Sequence, residues 1–229
     1  MTNEKSSFKV QYGWSVAALL PITPIVANFF HKRHFSANFV SVLSLVVFLP
    51  GLWIYYYYGD YRIARLITVF LFAVGTLLDI VDGYLARISG SGSLLGAYLD
   101  AGIDLIRYNL FFFVLWLLEI NTRFDSIIFI CYVGLLNASF VKLYFSIRGQ
   151  KPKAEVNTAL NGLLPRWYSK FCLRNKLLFN PFSLEDQLLL YLFTLGILLH
   201  IELPMLIFCT SIRVLELAIF ASIKLGNIK

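Results

Sequence analysis

Six long apolar segments occupy most of this 229-residue chain and limit what it can fold into more than any other feature. A membrane-spanning helix needs about 20 mostly apolar residues. Only 14% of the residues are charged and 59% are apolar, whereas about a quarter of an ordinary soluble domain is charged. So little charge cannot cover a globular surface. The sequence therefore predicts an all-α integral membrane protein and excludes disordered, collagen-like and disulfide-stapled chains.

The predicted spans are the segments 36–58, 63–85, 95–118, 125–147, 187–201 and 203–224. An apolar segment at 14–30 precedes them, but Pro21 and Pro24 interrupt it, and proline removes backbone donors from a helix. We therefore predict an N-terminal interfacial amphipathic helix there, with a short true span as the alternative. The predicted division of the chain is 1–35, the tail and interfacial helix, and 36–229, a six-helix membrane domain.

Positive charge lies mainly on one side of these spans and predicts their orientation. Lys and Arg near the ends of spans favour the cytoplasm. Basic residues precede the first span and fill the long loop 149–186, which we expect to be cytoplasmic and to contain an amphipathic surface element. Both termini should then be cytoplasmic, and an even number of spans agrees with this because it places them on the same side. The net charge of +7 is attributed to the surface beside anionic lipid, and no nucleic-acid partner is expected.

Four acidic residues are concentrated between positions 79 and 104. Asp79 and Asp82 are three residues apart, and Asp100 and Asp104 are four apart, so each pair shares one face of a helix. The polar turn 88–93 between them would fold two helices antiparallel and bring both pairs together. Carboxylates so close together disfavour one another's ionisation. A divalent cation resolves this conflict, and sites built only of oxygen ligands suit Mg²⁺ or Mn²⁺.

The alternative is that these acids are ordinary solvated residues at helix ends. Two correctly phased pairs across one short turn, in a chain with little charge, favour the functional interpretation.

The same stretch resembles the signature of the CDP-alcohol phosphotransferase (CDP-alcohol phosphatidyltransferase) family. The matching pattern, without a departure, is Asp79-x2-Asp82-Gly83-x2-Ala86-Arg87-x8-Gly96-x3-Asp100-x3-Asp104. Asn38 also resembles the asparagine of the family's usual Pro-Asn-x-x-Thr motif at the start of the first span, but Ala37 and Ser41 depart from that motif.

The resemblance implies transfer of a phospho-alcohol group from a CDP-linked donor to a second alcohol, with release of CMP, by a homodimer that uses two Mg²⁺ (or Mn²⁺) ions. It assigns Asp79, Asp82 and Asp100 to the metals, with Asp104 close to them. Asp104 is also the candidate general base, because its position one turn further along the helix lets it face the acceptor. The residues expected to bind the nucleotide and diphosphate are Asn38, Asp82, Gly83, Ala86, Arg87 and Gly96.

Candidate acceptor-binding residues are cations within or at the ends of spans, since a buried cation needs a partner: Arg107, Lys142, Arg148 and Arg213. Lys142 and Arg148 could form a basic pocket for an inositol phosphate or a glycerol phosphate. Arg107 could instead pair with Asp104. Arg213 has Glu216 at helical spacing and could form a structural ion pair. Anchoring at the cytoplasmic surface is the alternative role for such cations.

Three functions remain open from the sequence. In the first, 36–229 is a catalytic domain that takes a phosphatidyl group from CDP-diacylglycerol to a small alcohol or sugar phosphate in phospholipid biosynthesis. In the second, the donor is a polar CDP-alcohol such as CDP-inositol or CDP-choline. The third is a divalent-cation transporter or an inactive scaffold. The expected location is a bacterial-type cytoplasmic membrane or the endoplasmic reticulum, with the active site facing the cytoplasm.

Overall fold

A computed structural model describes residues 13–119, 126–134, 136, 164–179 and 187–226, and the regular elements within these ranges are all helical. In chain order they are α1 (Trp14–Leu19), α2 (Thr23–Lys32), α3 (Ala37–Tyr58), α4 (Arg62–Ile88), α5 (Leu94–Glu119), α6 (126–134), α7 (Arg166–Arg174), the π-helix α8 (Gln187–Gly196), the short α9 (Ile197–Leu199) and α10 (Glu202–Gly226).

Within the described residues, four helices are long and apolar enough to cross a membrane: Ala37–Tyr58, Arg62–Ile88, Tyr98–Leu118 and Glu202–Ile223. They coincide with the predicted spans 36–58, 63–85, 95–118 and 203–224. The predicted span 125–147 falls mostly outside the described residues, apart from α6. The predicted span 187–201 is helical as α8 and α9. The number of six spans and the cytoplasmic position of both termini therefore stay predictions.

The predicted single helix at 14–30 is in fact two helices. Pro21 lies in the turn between them, and Pro24 occupies the first turn of α2, where the missing backbone donor costs nothing. At 6 and 10 residues, α1 and α2 are each too short to span a bilayer. One face of α2 is buried, because Ala27 and Phe30 pack against α3 and α4.

Helix α3 packs against both α4 and α5, and the three helices form the centre of the described bundle. Phe48 and Phe72 stack with ring centroids 4.2 Å apart, and Phe111 and Phe193 complete this buried aromatic cluster. Gly75 allows α3 and α4 to approach closely, because a Cβ at this position would lie 3.1 Å from the carbonyl oxygen of Ser44. This close approach sets the distance between α3 and α4 next to the acidic residues.

The turn between α4 and α5 is short, as the sequence predicted, and its residues suit it. Gly90 adopts a left-handed conformation, with φ of 63°, which glycine tolerates without a steric penalty. Ser93 then accepts a hydrogen bond from the backbone N–H of Gly96 at 3.0 Å and caps the start of α5. The two acidic helices are thereby held antiparallel at this end of the bundle.

Residues 164–179, here called the hook, contain α7 and fold back onto α1. The indole N–H of Trp14 donates to the carbonyl oxygen of Leu178 at 3.1 Å, and the Tyr168 hydroxyl donates to that of Phe179 at 3.0 Å. Cys172 and Phe179 are buried in the small core between the hook and α1. The hook thus joins parts of the chain that are 164 residues apart.

We predict that Cys172 is protected from alkylation as long as the hook stays on α1. Burial raises the pKa of the Cys172 thiol, so less reactive thiolate is present at neutral pH. Trp14→Ala removes the hydrogen bond to the hook and should increase the alkylation rate of Cys172, measured by mass spectrometry of the native protein. Trp53→Ala is the control, because Trp53 is exposed near the C-terminal end of α3. It should leave the alkylation rate of Cys172 unchanged. An unchanged rate in Trp14→Ala would contradict the packing described here.

Candidate functional site

Three carboxylates meet where α4 turns into α5. One carboxylate oxygen from each of Asp79, Asp82 and Asp100 lies within 4.8 Å of the others. The predicted convergence of the two acidic pairs is confirmed for these three residues. Their ligand atoms are all oxygens, the type preferred by hard divalent cations. The arrangement can hold such a cation.

Asp82 is the most buried of the three, with 5% of its surface exposed. The Ser41 hydroxyl of α3 donates a hydrogen bond to Oδ2 of Asp82. Among the described residues, no Lys or Arg forms an ion pair with Asp82. Burying a carboxylate is costly unless it is compensated, and a cation bound among the three carboxylates would supply the compensation that one hydroxyl cannot. The buried Asp82 therefore fits a metal site better than a solvated helix end.

Arg107 connects the remaining acidic residues to α3. Its guanidinium group is only 4% exposed, and Nη1 donates to Oδ1 of Asp79 at 2.9 Å and to Oδ1 of Asp104 at 3.3 Å. Its Nη2 donates to the Ser44 hydroxyl, which in turn donates to the carbonyl oxygen of Ser41. Of the two roles open for Arg107 in the sequence, the structure shows the pairing with Asp104.

Asp104 lies on the Arg107 side of the site and outside the group of three carboxylates. Its side chain is 37% exposed, more than the 22% of Asp79. A molecule approaching from solvent can therefore reach Asp104, while Asp79 and Asp82 lie deeper. Asp104 is thus set apart from the three clustered carboxylates by its position and by its ion pair with Arg107.

A cavity of about 220 Å³ lies beside the carboxylates and is open on one side. Its lining includes Asp82 and Asp100 and is otherwise made of small residues and one amide: Ala37, Asn38, Ser41, Gly83, Ala86, Ser91, Gly92, Ser93 and Gly96. A Cβ at Gly83 would meet nothing within 4 Å, so this glycine leaves the cavity open. A Cβ at Gly96 would lie 3.1 Å from Oδ1 of Asn38, so this glycine lets α5 approach α3.

The structure brings together five of the six residues predicted to bind the nucleotide: Asn38, Asp82, Gly83, Ala86 and Gly96. Arg87 is exposed and does not line the cavity; its guanidinium carbon lies 5.9 Å from the ring centroid of Tyr84. Among the acceptor candidates, Arg213 is buried and pairs with Glu216 at 2.6 Å. Lys142 and Arg148 lie outside the described residues. The acceptor site therefore stays a prediction.

Sequence reasoning missed the two serines of α3. Ser41 stands where the resemblance has a threonine, and we treated it as a departure. The structure shows that its hydroxyl contacts Asp82, a contact that a threonine hydroxyl could also make. Ser44 follows three residues later, on the same face of the helix. Two hydroxyls at this spacing in an apolar span were the available signal.

Together, the apolar helices and the acidic cavity define a multi-span membrane protein with a cluster of carboxylates that could hold a cation. The sequence model of the CDP-alcohol phosphatidyltransferase family matches residues 34–168, and the chain belongs to this family. It is therefore an enzyme, a transferase of phospholipid synthesis that uses a CDP-alcohol donor and an alcohol acceptor. An archaetidylinositol phosphate synthase of Aeropyrum pernix is 26% identical over 171 residues, which cover 74% of this chain and 80% of the relative.

We predict that Arg107 is an internal counter-cation that matters most when no metal is bound. Breaking a buried ion pair costs about 3–5 kcal/mol, so Arg107→Gln should lower the Tm of the protein in chelator. Mg²⁺ should then raise the Tm of Arg107→Gln more than that of the wild type, because the divalent cation replaces the missing positive charge. Differential scanning fluorimetry with and without Mg²⁺ measures both effects.

The control for this prediction is Arg213→Gln, which breaks the other buried Arg pair away from the acidic cavity. It should lower the Tm equally in chelator and in Mg²⁺. The same pattern in Arg107→Gln would show that Arg107 has only a structural role.

Proposed function

We propose that the enzyme transfers a phosphatidyl-type group from a CDP-linked lipid to a small phosphorylated alcohol and releases CMP. The observation that carries the proposal is the opening of the three-carboxylate group onto a cavity lined by Gly83, Ala86 and Gly96. Such a cavity lets the flat nucleotide approach the helix backbone, while its diphosphate lies beside the acidic group. The helices of the bundle would let a lipid donor enter sideways from the bilayer.

In this proposal Asp79, Asp82 and Asp100 hold two ions, Mg²⁺ or Mn²⁺, and Ser41 orients Asp82. Two bound cations would neutralise the diphosphate and stabilise the departing CMP phosphate. The protein's own task is then mainly to position the reactants, as in other phosphoryl transfers. Arg107 orients Asp79 and Asp104 through its ion pairs with both carboxylates. Arg87, exposed at the end of α4, is proposed to reach the donor phosphates as a planar guanidinium.

Asp104 is the proposed general base. It lies beside the group of three carboxylates, is accessible from solvent, and is held through one oxygen by Arg107. An incoming hydroxyl would pass its proton to this carboxylate as the oxygen attacks phosphorus and the bond to CMP breaks. Base and metal ligands would then be separate groups.

The acceptor is proposed to be a phosphorylated polyol. The Aeropyrum pernix relative is named for archaetidylinositol phosphate, so an inositol phosphate is the first acceptor to test. Lys142 and Arg148 are the proposed contacts to its phosphate, and Arg107 and Arg213 are engaged in ion pairs. Four structural predictions remain parts of this proposal: the division into 1–35 and a catalytic domain at 36–229, the six spans, the cytoplasmic site and the homodimer.

The function is tested by following CMP release from purified protein in detergent with Mg²⁺. We expect turnover with CDP-diacylglycerol and an inositol phosphate, and none when the divalent cation is chelated. Asp100→Asn should lose turnover because it removes a ligand charge, whereas Asp60→Asn, an acid near the opposite end of the bundle, should not. Turnover only with CDP-inositol or CDP-choline would favour a polar donor instead. Full activity in chelator would contradict the metal assignment.

A second experiment separates the base from the metal ligands. Asp104→Asn keeps the shape of the side chain but removes the proton acceptor, and general base catalysis typically contributes about 10²–10⁴-fold. Turnover should fall by that order, while binding of the CDP donor, measured by calorimetry with Mg²⁺, survives within about tenfold. Asp79→Asn should weaken donor binding together with turnover. If Asp104→Asn loses donor binding as severely as Asp79→Asn, then Asp104 is chiefly a metal ligand.

A further inference from the structure

The hook carries a surface that the proposed reaction does not use. Its large apolar side chains Trp167, Phe171 and Leu173 are 72%, 46% and 50% exposed. The same helix and the turn after it contain no acid and four exposed cations: Arg166, Lys170, Arg174 and Lys176. We propose that the exposed face of the hook is a docking surface for the anionic lipid headgroups of the membrane leaflet next to the active site.

The contacts of the hook place it at the active-site end of the bundle. Trp14 of α1 holds the hook, and α1 is joined to α2 by only residues 20–22. Helix α2 packs on the part of α4 that carries the acidic site, since Ala27 and Phe30 share a core with Val81 and Leu85, next to Asp82. The hook therefore lies toward the leaflet from which the acidic cavity opens.

The chemistry of the surface selects a lipid interface. Interfacial helices combine Lys and Arg with Trp, Phe and Leu, because the rings enter the headgroup layer while the cations meet lipid phosphates. A long basic side chain can extend its charge to the phosphates from an apolar surrounding. Cys172 faces the protein and is fully buried, so the opposite face of α7 is left for the membrane.

A second helix that combines exposed apolar side chains with cations supports anionic lipid as the ligand of this surface. Helix α2 exposes Ile25 and Phe29, at 71% and 48%, and ends in Lys32 and Arg33. The guanidinium of Arg33 lies 4.3 Å from the centre of the Phe29 ring. Two separate helices at one end of the bundle thus present rings beside cations, as one anionic leaflet would require. The inference does not depend on which reaction the enzyme performs.

Amide hydrogen exchange of the full-length protein in nanodiscs tests the proposal. One set of discs contains phosphatidylcholine alone, and the other contains phosphatidylcholine with phosphatidylglycerol. We expect exchange of the amides of Arg166–Arg174 to slow by about fivefold or more in the anionic discs, equivalent to about 1 kcal/mol for a single cation near an anionic surface. Equal exchange in both lipids would overturn the proposal.

The hook variant is the double substitution Lys170→Gln and Arg174→Gln. Its control is Arg62→Gln, at the end of α4 that is opposite to the acidic site. The hook variant should lose most of the difference between the two lipids, and Arg62→Gln should keep it. Continued protection of Cys172 from alkylation shows that the variant hook is still folded. A lipid difference that persists in a folded hook variant would overturn the proposal. Protection that depends on two copies per disc, and not on lipid charge, would assign the surface to a second copy of the chain and overturn it as well.

Discussion

The buried guanidinium of Arg107 is the contact on which the acidic site depends. Four carboxylates near one turn would otherwise repel one another and separate α4 from α5. Arg107 contacts one carboxylate on each of these helices and reaches α3 through Ser44. One cation therefore joins three helices next to the cavity. Its ion pairs fix the carboxylates of Asp79 and Asp104, at 2.9 and 3.3 Å, on the two helices that meet at the site.

Small residues determine how closely these three helices can approach. Gly75 brings α3 against α4, and Gly96 brings α5 against Asn38 of α3. Gly83 has the opposite effect, since the space above it is open and belongs to the cavity. Glycines in one motif thus serve two purposes: Gly96 allows close helix packing, and Gly83 leaves space for the cavity. Only the structure distinguishes these two roles.

The parts of this architecture that depend on local sequence were predictable. Apolar length predicted the four spans that the structure supports, and the period of the helix predicted that Asp79, Asp82 and Asp100 would converge. Contacts between distant parts of the chain were not predictable. The Ser41–Asp82 bond joins residues 41 positions apart, and the Trp14–Leu178 bond joins residues 164 positions apart. No periodicity reports such contacts, so the role of Ser41 and the fold of the hook emerged only from the structure.

The basic exterior and acidic cavity of the protein suit an enzyme whose anionic donor must enter a cavity lined by carboxylates. A CDP-linked donor is negative, and a cavity that contains Asp82 and Asp100 would repel it. The chain nevertheless carries a net charge of +7, and Lys32, Arg33 and the cations of the hook stand at the active-site end. A basic rim raises the local concentration of anions, and cations held by the aspartates would reverse the sign inside the cavity. The basic exterior would then recruit the donor, and the acidic interior would bind it only when the metal is present.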